Sequence, residues 1–138
     1  MDNIVSVLIK QHRDLQGEVN FVLDLIDNNF DSPKIVASLT EFKKDLDSHV
    51  ELEKSFYEEL LRKMENAGQD TKNTRIFMGE MIGIGKIIYD FLDRYNVAKY
   101  VEDNKESFSF EMKKIKETLW LRIESEEEGV YVSYNVLK

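Results

Sequence analysis

The chain has 138 residues, the size of one ordinary domain, and 42% of them are hydrophobic, enough apolar mass to bury a core. It contains no cysteine, which removes disulfides, thiolate metal sites, iron–sulfur clusters and cysteine nucleophiles from consideration. A formal net charge of −8, with lysines interleaved among acids, argues against nucleic acid, whose phosphates need a clustered basic surface.

The segment Met1 to Asp14 has no basic leader and meets charge again at Lys10, so neither a signal peptide nor a membrane anchor is expected there. No apolar run approaches the roughly 20 residues that a membrane span requires. The expectation is a cytoplasmic protein without a membrane partner.

Val5, Leu8, His12, Leu15, Val19, Val22 and Ile26 recur at alternating steps of three and four, the inward stripe of an amphipathic helix over about 3–28. Ser32 followed by Pro33 opens a second helix, with Ser32 as the expected cap. Its stripe runs through Ile35, Leu39, Phe42, Leu46, His49, Glu53, Phe56 and Leu60 until Asn66-Ala67-Gly68 supplies a stop, giving about 33–67. A third helix, about 71–95, is opened by Asp70 or Thr71 and carries Phe77, Met81, Ile84, Ile88, Phe91 and Tyr95, with Glu80 and Ile87 on the same broad face. After a polar stretch, Val101 to Lys105, the stripe Phe108, Met112, Ile115, Leu119, Arg122, Glu126 and Val130 predicts a fourth helix over about 105–131. Ser133 to Lys138 either fray or fold back. Four long helices with short connections give an all-α, up-down-up-down four-helix bundle in a single domain spanning 1–138.

Three of the inward stripes are interrupted by ionisable residues: His12 in the first helix, His49 and Glu53 in the second, Arg122 and Glu126 in the fourth. Burying such groups costs several kcal/mol unless they satisfy one another, bind water or hold a metal. His12 lies 16 residues before Asn28 and His49 lies 16 residues after Pro33, roughly 24 Å at 1.5 Å per residue, so the two imidazoles share a level. Glu53 follows His49 by one turn on the same face, which lets an imidazole and a carboxylate converge on one ion. The same counting puts the level of Glu53 near Gly85 and that of Arg122 near Gly79; the two bracket Glu80, a further ligand or salt-bridge candidate.

The run His49-Val50-Glu51-Leu52-Glu53-Lys54-Ser55-Phe56-Tyr57 resembles the second-helix motif of the hemerythrin-like (HHE cation-binding) family, His-x-x-x-Glu followed by an aliphatic–aromatic pair. Arg122 to Tyr131 has the same layout with arginine in the histidine position, and His12 between Leu8 and Leu15 is similar to the family's first-helix histidine. The resemblance implies a non-haem iron centre that binds or senses oxygen, nitric oxide or a related redox signal. It makes His12 and His49 terminal ligands of one iron, and Glu53 and Glu126 bridging carboxylates.

The chain departs from the family in having two histidines in all, where the family draws more from the third and fourth helices. Arg122 cannot bind a cation, since its guanidinium stays protonated and has no acceptor. Three arrangements follow: a second cation on Glu80, Glu126 and water; a single metal on His12, His49 and Glu53 with Arg122 in place of the second; or a metal-free ion-pair network. A binding or sensing protein with one or two irons is the leading expectation, ahead of an oxidoreductase and a metal-free helical interaction protein. Trp120, beside the inward stripe, suits either packing between helices or an interface such as that of a homodimer. No nucleotide fingerprint or Ser/His/Asp order supports other chemistries.

Overall fold

The computed structural model describes residues 3–137; Lys138, the last of the terminal segment considered above, lies outside them. Four long helices form the bundle: α1 (Ile4–Asn28), α2 (Ser32–Asn66), α3 (Lys72–Arg94) and, fifth in chain order, α5 (Lys105–Glu128). Two short helices, α4 (Ala98–Asp103) and α6 (Val130–Val136), complete the set, and no strand occurs among the described residues. α1 packs on α2 and α5, and α3 packs on the same two helices, the ring expected of up-down-up-down connectivity.

Local chemistry sets the helix ends. Asn3 caps α1 by accepting from the Ser6 N–H at 2.9 Å. Asp31, rather than Ser32, caps α2: its side chain accepts from the Lys34 N–H at 3.1 Å, and Ser32 enters the helix and bonds Glu102. At the far end Gly68 takes φ +73°, with Gln69 N–H on Met64 O at 2.9 Å and Gly68 N–H on Glu65 O at 3.0 Å. That pair of bonds is the Schellman arrangement, for which a residue without a Cβ is suited.

Two departures from the expected elements matter. The connection after α3 is not an open polar stretch, because Val101 is fully buried and draws residues 98–103 into α4 against α2. The fourth long helix stops earlier than expected, at Gly129 (φ −110°, ψ −94°), and the chain restarts as α6, which continues past the polar layer beside the start of α1, with Tyr131 at His12 and Asn135 at Asn3, and buries Tyr131.

The core is divided in two. Leu15, Val19, Leu39, Leu46, Phe91, Phe108 and Leu119 belong to one apolar cluster, and Val5, Leu8, Phe56, Leu60, Val130 and Tyr131 to the other. His12, His49, Glu53, Arg122 and Glu126 fall between these clusters along their helices and are all buried, so a polar layer sits between two apolar ones.

Gly129 is the element on which the α5–α6 turn depends, since a Cβ there would lie 2.8 Å from the Ser125 carbonyl oxygen, a backbone atom with little room to yield. Gly129→Ala is expected to destabilise the protein by roughly 1–3 kcal/mol, read as a lower chemical-denaturation midpoint, as for an overpacked core position. An unchanged midpoint would show that the turn tolerates a side chain.

Candidate metal centre

His12 comes from α1, His49 and Glu53 from α2, and Glu126 from α5; one ligand atom from each lies within 4.8 Å of all the others. The levels counted from the turns meet as expected, with the two imidazole centroids 4.7 Å apart. His49 Nε2 stands 3.0 Å from Glu53 Oε2, the consequence of their one-turn spacing, and His12 Nε2 stands 3.4 Å from Glu126 Oε1.

Each of the four side chains is held at one end and directed inward at the other. His12 Nδ1 is 2.7 Å from Glu127 Oε2, and His49 Nδ1 is 2.8 Å from Gln11 Oε1. Both partners are acceptors, so each Nδ1 carries the proton and each Nε2 presents a lone pair. Glu53 Oε1 accepts from Arg122 Nη2, and Glu126 Oε2 accepts from the Tyr57 hydroxyl at 2.9 Å. The inward atoms His49 Nε2, Glu53 Oε2 and Glu126 Oε1 are buried without a hydrogen-bond partner, while His12 Nε2 has only a long bond from the Tyr131 hydroxyl, 3.3 Å. Orphaned buried polar atoms are uncommon, and three converging on one point call for an occupant.

The electrostatics are those of one guanidinium facing two carboxylates. Burial pushes the Glu53 carboxyl up, but the positive charge of Arg122, whose Nη2 donates to Oε1, acts against that and helps to hold it below the ordinary carboxylate range. Glu126 is pushed up to about 8, by burial first and then by the charge of Glu53, which leaves too little of Arg122's field to keep a second anion. Burial also lowers His12, against the opposing pull of Glu127, so its imidazole is neutral and able to donate a lone pair. The Tyr57 and Tyr131 hydroxyls are raised, by burial and then by the Glu126 carboxylate, and stay protonated.

Of the residues singled out in the sequence, His12, His49, Glu53 and Glu126 come together, and Arg122 joins them through Glu53, with its Nε 3.7 Å from Glu126 Oε1. Glu80 does not: it is exposed on the outer side of α3, and Gly85 is the α3 residue against Arg122. An arrangement with a second cation on Glu80 is thereby set aside. Glu127, one of the acidic run Glu124–Glu128, is clamped between His12 and Arg13. Nothing in the periodicity marked it or Gln11, because both stand beside the inward stripe and reach the imidazoles from the side. The Tyr89 hydroxyl turns outward and donates to Asp47 Oδ1 at 2.7 Å.

The donor set fits one cation. Bonds of about 2.0–2.2 Å, as for zinc, keep neighbouring ligand atoms roughly 2.8–3.6 Å apart, and the Nε2–Oε2 and Nε2–Oε1 separations above already fall in that range. Two imidazoles and two carboxylates suit divalent first-row metals, iron among them. A second cation would have to share Glu53 and Glu126 with the guanidinium, and among the described residues the cluster holds no fifth His, Asp or Glu donor.

No helix among the described residues is long and apolar enough to cross a membrane. No curated protein and no solved structure matches the chain. The family model described as the hemerythrin HHE cation binding domain does match, over residues 3–132. With nearly its whole length matched, and with a buried His/Glu cluster at the centre of a four-helix bundle, the chain belongs to the hemerythrin HHE cation-binding domain family.

Proposed function

We propose that this protein is a cytoplasmic binding or sensing module that holds a single non-haem iron on His12, His49, Glu53 and Glu126 and takes oxygen, nitric oxide or a related small redox ligand. The observation that carries the reading is the convergence of ligand atoms left without partners while the far end of each side chain is anchored. Two imidazoles with carboxylates are a recognised donor set for reactive ferrous iron, which when bound supplies a redox-active position for a diatomic ligand.

The chain's own residues define what such a site accepts. The four donors are 0–5% exposed, which restricts an incoming ligand to a few atoms. Phe56, Tyr57 and Tyr131 stack edge to face beside the centre and keep bulk water out. Tyr131, with its hydroxyl at His12 Nε2, is the group that must turn aside when His12 donates to an ion. Arg122 supplies a fixed positive charge where a two-ion centre would need a second cation, and its fork holds Glu53 by one oxygen so that the other faces inward.

A second reading, a metal-free interaction protein, is favoured by one observation: Arg122, Glu53 and His49 already contact one another without an ion. Iron content separates the two. After anaerobic loading with ferrous iron and desalting, the wild type is expected to retain one iron per chain, and His49→Ala to retain none at matched concentration. A wild type without iron would leave the metal-free reading standing.

The protonation states predict how binding depends on pH. Glu126, raised to about 8, holds a proton that a cation must displace, so loading at neutral pH should release a proton and weaken about tenfold for each unit below 8. In the metal-free protein the sign reverses: a raised carboxyl stabilises the fold below the ordinary carboxylate range, and that contribution fades as the pH rises through about 8. Calorimetric titration in two buffers of different ionisation enthalpy measures the first, and thermal melts across pH 6–9 measure the second. Loading without proton release would place the charge balance elsewhere.

A further inference from the structure

Three glycines lie in the middle turns of α3, and one of them differs from the other two. A Cβ added at Gly79 or Gly83 would meet nothing within 4 Å, whereas one added at Gly85 would lie 3.0 Å from Arg122 Nη1. Gly85 is buried on the same face as Met81 and Ile88, a helix-interior position where alanine is intrinsically preferred. Something must outweigh that preference, and among the described residues the guanidinium is what comes within 4 Å of the missing Cβ.

Arg122 reaches this point from α5 and is enclosed on both sides. The bare backbone of Gly85 lies behind Nη1, while in front Nη2 donates to Glu53 Oε1 and Nε stands 3.7 Å from Glu126 Oε1. A side chain at position 85 would make Nη1 give by a few tenths of an ångström, and the fork would have to take up that shift against Glu53, which Nη2 already touches. We propose that Gly85 is a positioning residue that seats Arg122 on Glu53 and Glu126, and that this seat makes the centre specific for a single cation. The seat deepens the one-ion reading proposed above and rests on it for the specificity half alone, because the contact between Gly85 and Arg122 exists with or without an ion.

The charge argument follows from the geometry. A divalent ion entering beside the first would have to take Glu53 Oε1 from Arg122, and it would meet a buried positive charge there. Gly85 contributes by letting the guanidinium stay at the distance where it competes for both carboxylates. Its action is through Arg122, without touching the ligand atoms.

The test is a thermal double-mutant cycle on the metal-free protein, with the neighbouring glycines as controls. Gly79→Ala and Gly83→Ala should each raise Tm by about 3 °C, the ordinary helix gain. Gly85→Ala should give no rise or a fall, and the gain should reappear when it is combined with Arg122→Lys, which keeps the charge but removes Nη1 and its fork. If Gly85→Ala alone does not fold, folding of the Arg122→Lys combination supports the seat. Failure of both to fold, or a Gly85→Ala gain equal to the controls, overturns it. Equilibrium dialysis of the wild type against Co(II) reads the specificity: one ion per chain is expected, and two would overturn it. No Co(II) at all would refute the proposed function together with the specificity half, while the melting cycle still decides the seat by itself.

Discussion

A single buried guanidinium facing two buried carboxylates sets the charge balance of this bundle's interior. Arg122 holds Glu53 as an anion, and what remains of its field does not suffice for Glu126, which keeps a proton. Burying a charge without compensation costs several kcal/mol, so the two apolar clusters on either side tolerate the polar layer only because it is internally neutral. A divalent cation held by His12, His49, Glu53 and Glu126 would change that balance by taking the place of a proton on Glu126, and the Nε2 lone pairs are already directed toward it.

The surrounding helices act as a frame for this arrangement. α1 contributes Gln11 and Arg13, which fix His49 directly and His12 by way of Glu127; α2 contributes Tyr57 behind Glu126; α3 contributes the open backbone at Gly85; and α6 brings Tyr131 over His12. Anchoring the outer atom of each ligand is how metal sites orient the inner one, and here every anchor comes from a different place in the fold than the ligand's own neighbours in sequence. The break at Gly129 therefore matters to the centre as well as to the fold, since α6, which starts just beyond it, carries the Tyr131 that lies over His12.

Much of this was legible in the sequence, for reasons particular to helical bundles. The three-and-four spacing exposes the inward stripe, and a polar residue on that stripe is conspicuous; that is how His12, His49, Glu53, Arg122 and Glu126 stand out. Rise per residue gave the levels; the count from α2 put Gly85 near the level of Glu53, and the structure sets Gly85 against Arg122, which bonds Glu53. The count from α5 failed because α4 absorbs the connection after α3, so the effective turn lies near Asn104 and Arg122 meets Gly85 instead of Gly79. Glu80 was misplaced by the same error, one hundred degrees off the buried face marked by Met81. Gln11 and Glu127 were hidden for a different reason: hydrogen bonds made from the side of a stripe have no periodic signature.

The central claim is that Arg122 stands where a second cation would be needed, so that the centre is mononuclear. X-ray absorption at the iron edge of the loaded protein tests this most directly. A mononuclear centre gives directly bonded nitrogen and oxygen neighbours with the multiple scattering of two imidazoles and no metal–metal component; an iron–iron vector at about 3.5–4 Å would overturn it.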